Sequence, residues 1–221
     1  MNNCIGSGDI PENRKLDYEI RLWREGLKKV AGVDEAGRGS LIGSVVAAAV
    51  ILPQGTFING VRDSKALSAN RREALYEVIT DTALAWGIGI VDEVTIDKIN
   101  IKQATRLAMR LAVEDLDVAV DHLLVDAEII PIAVPQTQLI HGDVISHSIS
   151  CASIIAKVTR DRMCRVWHEK FPDYGIATNK GYCTREHLEA LLTHGPCPIH
   201  RKSFTRKLLL KHSNLTLDLD M

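Results

Sequence analysis

The chain has no apolar run long enough to cross a bilayer. Its longest, residues 41–52 (LIGSVVAAAVIL), stops well short of the roughly 20 residues a spanning helix needs. The start carries Asp9 and Glu12 and no basic-then-apolar pattern, so no targeting segment is read there. Cysteines number five, an odd count, and none pair as CxxC. A disulfide framework is therefore excluded, and a reducing, cytoplasmic setting is expected. There is almost no net charge, 27 basic against 28 acidic residues, which argues against a protein that coats nucleic acid in bulk. Internal repeats and low-complexity segments are also missing.

What is present suits a soluble globular protein with a core of its own. The hydrophobic fraction is 46% and the charged fraction 25% over 221 residues. The charge balance hides an asymmetry. Residues 81–147 hold 11 acids and 4 bases, a difference of -7; residues 151–212 hold 12 bases and 5 acids, a difference of +7. Cations would gather at the first segment and a polyanion at the second.

Apolar periodicity predicts a short helix over 16–27, then strands over 29–34 and 44–52. A helix over 68–82 with Ser68 as its N-cap follows, then a strand over 83–91 and a helix over 101–116. Strands are predicted over 122–125 and 136–141, and helices over 148–167 and 185–194. Alternation of this kind predicts an α/β fold, a central mixed sheet flanked by helices with a C-terminal helical appendage. The expected organisation is a lead-in and short helix over 1–28, one domain over 29–212 and a flexible tail over 213–221.

Four acids fall at informative places. Asp34 and Glu35 stand at or near the end of the first core strand, Asp126 ends the apolar Leu-Leu-Val triplet, and Asp143 follows Gly142 just after a strand. Functional groups collect where the strands of an open sheet end. Acids crowded there repel one another unless a cation intervenes, and an all-oxygen donor set selects Mg²⁺ or Mn²⁺. Neighbouring strand residues face opposite ways, so Asp34 and Glu35 share a site only if the strand ends or bends between them. Asp92, Glu93 and Asp97 read instead as a solvated start of a helix. Gly37-Arg38-Gly39 lets a ligand approach backbone N–H groups, with an arginine fork suited to phosphate. Ser64 and Lys65 sit in a loop from which they could touch phosphate. The pattern His194-Gly-Pro-Cys197-Pro-Ile-His200 lacks a convincing fourth zinc ligand and reads as a proline-rich turn.

These motifs together resemble a known family. GVDEAGRG (32–39) is similar to the opening motif of type 2 ribonucleases H, ribonuclease HII. Asp63-Ser64-Lys65 with Leu67-Ser68, Ile96-Asp97 with Asn100-Ile101, Val125-Asp126 and Gly142-Asp143 follow in the family's order. So do Ala152-Ser153, Lys157, Arg160-Asp161, Lys180-Gly181-Tyr182 with Thr184 and His187, and His200-Arg201 with Ser203-Phe204. The likeness covers roughly residues 30–205. Ser40 and Ser44 stand where prolines are often found, Ala127 where bacterial members often have glycine, and Cys183 interrupts the usual GYPT.

The resemblance implies a ribonuclease H-like fold and a divalent-metal phosphodiesterase using Mg²⁺ or Mn²⁺. Such an enzyme cuts the RNA strand of RNA-DNA hybrids and the 5′ side of a ribonucleotide in duplex DNA, leaving a 3′-hydroxyl and a 5′-phosphate, through a two-metal hydrolysis that serves ribonucleotide removal. It implies Asp34, Glu35, Asp126 and Asp143 as metal-binding catalytic acids, and Gly37, Arg38 and Gly39 as the loop that senses the ribose 2′-hydroxyl. Tyr182 is implied to pack on the sugar 3′ of the cut. Ser64, Lys65, Lys157, Arg160, Lys180 and Thr184 complete the expected substrate contacts. Expected partners are hybrid and ribonucleotide-containing duplexes, for a monomer with no membrane association. The tail Asn214–Leu219 faintly resembles peptides that dock on sliding clamps. The alternatives are a ribonuclease HIII-like hybrid nuclease, which usually has a larger N-terminal domain and a threonine for Arg38, and a non-catalytic nucleic-acid-binding protein on the same fold.

Overall fold

Five strands make one mixed sheet. β1 (Val30–Ala36) and β2 (Val45–Ile51) pair antiparallel, and β3 (Ala85–Val91) continues antiparallel on β2. β4 (His122–Asp126) lies parallel to β1, and β5 (Gln136–Leu139) parallel to β4, giving the order β3-β2-β1-β4-β5. β2 is buried at every position, which its sequence VVAAAVI permits because neither face carries a polar side chain. In this computed structural model residues 15–62 and 64–217 are described, the side chains of Lys207 and residues 211–217 excepted. The lead-in over 1–14, Asp63 of the DSK loop and tail residues 218–221 lie outside the described residues.

Helices cover both faces of the sheet, as the alternating pattern requires. α1 (Asp17–Arg24) precedes β1, and α2 (Ala69–Thr82) follows a 3₁₀ turn at Ser64–Ala66, with Ser68 as its N-cap as expected. α3 (Glu93–Ile99) and α4 (Ile101–Glu114) come after β3, and α4 packs its small face, Ala104, Ala108 and Ala112, onto one side of the sheet. The other side is covered by α2 and by the long α6 (His147–Lys170), which follows the single turn α5 (Gly142–Ile145). α7 (Ile176–Asn179), α8 (Arg185–His194) and α9 (Lys202–Leu217) form the C-terminal appendage. α3 and α9 are helices that periodicity did not reveal, and α9 extends through residues 213–217 of the expected tail. Asp92 caps α3 by accepting from Thr95 N at 2.7 Å. Asp97 accepts from Lys202 N at 2.8 Å and Ser203 N at 2.9 Å at the start of α9. These acids are spent on helix ends, consistent with their reading as a helix start.

α6 is positioned from both ends of its first turns. Glu19 of α1 is buried and accepts from Ser146 Oγ at 2.7 Å, Ser148 N at 3.0 Å and Ser148 Oγ, so a carboxylate sits on the positive end of α6. Gly32 of β1 lets α6 come close: a Cβ there would lie 2.1 Å from the carbonyl carbon of Ser148 and 2.3 Å from Ile149 N. Backbone cannot yield as a flexible side chain can. Gly32→Ala is therefore expected to cost at least the ~1–3 kcal/mol of an overpacked core, seen as a lower midpoint in urea unfolding; an unchanged midpoint would show that α6 is not held against β1 in this way.

Candidate active site

The parallel ladder between β1 and β4 ends at Val33 and Val125. One residue further on each strand stand Asp34 and Asp126, on the same face by parity. Glu35 joins them: one oxygen of each acid lies within 4.8 Å of the others. The expectation that β1 ends or bends between Asp34 and Glu35 needs correcting, because its ladder with β2 runs on through Glu35↔Ala47 to Ala36↔Val46. What ends is the pairing with β4, and the open edge beyond it gives Glu35 room to reach the other two acids.

Electrostatics at this cluster is unfavourable to charge. Asp34 is raised well above the ordinary carboxylate range by burial first, and then by Glu35 and Asp126; a hydrogen bond with Ser153 opposes the shift. Glu35 is pushed from 4.5 to about 7, by burial first, with Arg38 pulling the other way and Asp126 and Glu128 adding to the rise. Asp126 is raised by burial, against the Gly142 N–H that donates to its Oδ1 at 2.7 Å. Glu35 Oε2 is buried and without a hydrogen-bond partner. An orphaned carboxylate oxygen inside an all-oxygen set fits a hard divalent cation.

A cleft of about 220 Å³ opens over these acids and is lined also by Gly37, Arg38, Gly39, Ser64, Lys65, Ser153, Lys157 and Tyr182. Ten of the fourteen predicted site residues meet there. Asp143 does not join the three acids: it is nearly buried on α5, with Lys65 Nζ 3.8 Å from its Oδ2. Thr184 caps α8, accepting from His187 N at 3.2 Å. Lys180 lines a separate cleft with Arg72, Asp161 and Arg165. Arg160, expected to touch substrate, is fully buried. It donates to Ser44 O at 3.1 Å, Ile42 O at 3.2 Å and Lys180 O at 2.9 Å. Its guanidinium is consumed by the protein's own carbonyls and shapes the loop from inside.

The two glycines of the Gly-Arg-Gly loop differ. Gly37 has φ +90°, and a Cβ on it would lie 1.9 Å from Arg160 Nε, so it is glycine for the fold. Gly39 has ordinary φ, and its Cβ would meet nothing nearer than Tyr182 Cε1 at 3.8 Å. It is bare toward the open cleft. Ser40 keeps the loop's shape without proline, since its buried Oγ donates to Ile42 O at 2.9 Å and accepts from Ile42 N at 3.3 Å. Ala127 adopts φ +50°, a left-handed conformation that favours the glycine often found there. It is pinned by Ala127 N donating to Leu139 O at 2.9 Å and Gln138 Nε2 donating to its carbonyl at 2.7 Å.

Two residues of the site received no role in the sequence reading. Glu128 is buried and ion-paired with Arg38 Nη2 at 3.0 Å and Arg106 Nε at 2.9 Å, so it aims the loop arginine. Its only sequence signal is its place two residues after Asp126. Ser153 bonds to Asp34 and lies 3.0 Å from Ser64 Oγ. It stands four residues before Lys157 on one face of α6, a spacing that could have found it.

A sequence profile described as Ribonuclease HII matches residues 31–207. Ribonuclease HII of Alkaliphilus metalliredigens is 54% identical over 201 residues, covering 88% of this chain and 98% of that protein. Among solved structures, the ribonuclease H2 from Pyrococcus horikoshii OT3 superposes with a TM-score of 0.68 at 27% identity, over 79% of this chain and 93% of the other. The RNase HII in the PCNA:RNase HII complex from Archaeoglobus fulgidus gives 0.67 at 26% identity, over 80% and 94%.

Two outcomes follow from this geometry. The folded state holds a proton on Glu35 that the unfolded chain releases above about pH 4.5, so metal-free stability falls as pH rises from there through about 7. The displacement corresponds to roughly 3 kcal/mol. Denaturant titrations across pH should show that slope, reduced by Mg²⁺ and flattened in Glu35→Gln; a metal-free stability independent of pH in this range would contradict it. Separately, Gly37→Ala should lower the unfolding midpoint by more than ~1 kcal/mol whereas Gly39→Ala stays within about 0.5 kcal/mol of wild type, and equal losses would show that the two glycines are not distinct.

Proposed function

The chain belongs to the ribonuclease HII family, a divalent-metal-dependent endonuclease of the ribonuclease H class, and from that premise we propose that it incises duplex DNA 5′ of an embedded ribonucleotide as well as the RNA strand of hybrids. The products are a 3′-hydroxyl and a 5′-phosphate, and the role is removal of ribonucleotides from DNA. The observation that carries the reading is the cleft itself. Three acids that burial and one another's charge push toward the protonated form lie together, and bare Gly39 stands next to the Tyr182 ring in the same cleft.

Asp34, Glu35 and Asp126 would hold Mg²⁺ or Mn²⁺, with Asp143, the fourth acid, close to Asp126 on α5. Bound as a pair, such ions activate water and stabilise the leaving oxygen. The protein's own part is positioning. Loop N–H groups at Gly37–Gly39 receive the ribose 2′-hydroxyl, and Arg38, aimed by Glu128, faces a phosphate. Ser64, Lys65 and Lys157 contact the same strand from the opposite wall of the cleft. Tyr182, 39% exposed, offers a ring face to the next sugar. A deoxyribose can lie flat on that face, where a 2′-hydroxyl would obstruct it. Lys180 and Thr184 act through the turn that carries Tyr182.

A sliding-clamp contact through Asn214–Leu219 is part of the same reading. The Archaeoglobus relative is described in complex with PCNA. Truncation after His212 should abolish clamp binding, and failure of the intact chain to bind would end the idea.

The decisive assay uses a duplex with one ribonucleotide, with and without chelator. Wild type should nick it only with metal. Asp34→Asn should lose at least ~100-fold in rate, reflecting several kcal/mol of lost transition-state stabilisation, while keeping its fold by circular dichroism. Full activity in that variant, or metal-independent nicking, would defeat the assignment and leave a non-catalytic binding protein as the better reading.

A further inference from the structure

The closing segment His200-Arg201 is buried and belongs to neither the acids nor the cleft wall. Each residue nevertheless ends on one of two neighbouring parts of the cleft lining, the Gly37–Gly39 loop and the turn that carries Tyr182. Arg201 donates to Gly37 O at 2.8 Å, Arg38 O at 3.0 Å and Gly43 O at 2.9 Å. Drawing these carbonyls inward leaves the opposite edge of the loop, with its N–H groups, for a ligand. A fork with fixed donor angles can hold carbonyls on both sides of a turn at once; a lysine ammonium cannot fix their relative directions.

His200 runs the other way, and its hydrogen bonds admit one arrangement of protons. The Cys197 backbone N–H, which can only donate, points at His200 Nδ1 at 2.9 Å, so that nitrogen is bare and the proton sits on Nε2. At the far end His187 Nδ1 lies 2.9 Å from Tyr182 O, which can only accept, so His187 carries its proton on Nδ1. The two Nε2 atoms are 3.3 Å apart, one a donor and the other an acceptor. The chain is therefore Cys197 N–H to His200 to His187 to the Tyr182 carbonyl; Cys197 Sγ lies 3.1 Å from the same His200 nitrogen, and Thr184 N donates to the same carbonyl at 2.8 Å. Protonating either ring would bring two N–H groups face to face. Both imidazoles are correspondingly depressed, chiefly by burial, His200 to about 4. Tyr174 closes the cluster, its ring 5.0 Å from that of His200 and its hydroxyl donating to Gly195 O at 2.8 Å. Among the described residues, three metal-ligating side chains within reach of one another occur only at the acids.

Further ties lock the two surfaces to the same segment. Ile42 bridges His200, Leu41 O accepts from Arg201 N at 2.8 Å, and Leu41 N donates to Gly181 O at 2.8 Å. We propose that His200-Arg201, acting through His187, is the positioning element that fixes the distance between the Gly37–Gly39 loop and the Tyr182 ring. That distance sets the preference for a ribose followed by a deoxyribose over continuous RNA. The proposal rests on the reading of Tyr182 given above, and deepens it: selectivity is built by residues that never touch the substrate.

The test is single-turnover cleavage of two duplexes, one with a single ribonucleotide flanked by DNA and one a uniform RNA-DNA hybrid, read as the ratio of their rates. Tyr182→Ala serves as reference and should lower the ratio. His187→Ala should lower it about fivefold, the effect of one lost neutral hydrogen bond, with Arg201→Lys acting in the same direction. His187→Asn, whose amide nitrogen occupies the place of Nδ1, should restore it, which a residue needed only for folding would not do. A ratio unchanged in His187→Ala but lowered in Tyr182→Ala would overturn the positioning role alone. A ratio unchanged in Tyr182→Ala would overturn the reading beneath it as well. Should the variants fail to fold, histidine-ring nitrogen NMR on the intact wild-type chain decides: protons on His200 Nε2 and His187 Nδ1 support the relay, and either opposite tautomer refutes it.

Discussion

Mutual repulsion among Asp34, Glu35 and Asp126 is the constraint around which the site is arranged. Two of them arrive together because β1 and β4 run parallel and in register up to Val33 and Val125. Glu35 arrives because that pairing stops there while the pairing with β2 does not. The result is a group of carboxylates that burial first, and then one another's charge, pushes toward the protonated form. A divalent cation held there would change the sign of that local field and relieve the repulsion. The backing for it comes from α6, held close to β1 at Gly32 and capped at its start by Glu19.

Next to the acids, the Gly-Arg-Gly loop is shaped by charges turned inward. Arg160 and Arg201 are both fully buried and both bond to backbone carbonyls of residues 37–44. Burying two guanidinium groups is costly unless their donors are satisfied. Here the carbonyls satisfy them, and in return the loop cannot relax its shape. Arg38, by contrast, is half-exposed and balanced between Glu128 and Glu35. The basic surplus of the second half of the chain thus divides by depth: some of its cations build the loop, and Lys157 reaches the cleft.

Much of this was legible in the sequence. All five strands, the α/β class and three of the four acids as one cluster could be read from periodicity and from acids placed at strand ends. The Gly-Arg-Gly loop could be read as a candidate ligand seat, but not which glycine the fold itself requires, because the Arg160 side chain that makes Gly37 obligatory lies over a hundred residues away. For the same reason Arg160 read as a phosphate contact: sequence gives charge, not depth. α9 was missed because its start is set by a tertiary contact, Asp97, and α3 because its seven residues are too few to show a helical period. Ser40 looked like a weak point in the loop for want of a proline, and is held instead by its own hydroxyl bonds to Ile42.

The central claim, that Glu35 holds a proton below about pH 7 in the metal-free fold, has a direct measurement. Mn²⁺ or Mg²⁺ binding is titrated calorimetrically near pH 6 in buffers of different ionisation enthalpy, which counts protons exchanged on binding. Ligation requires carboxylates, so the account predicts net release of protons, smaller in Glu35→Gln and fading as pH rises past about 7. Metal binding at pH 6 with no proton release would contradict it.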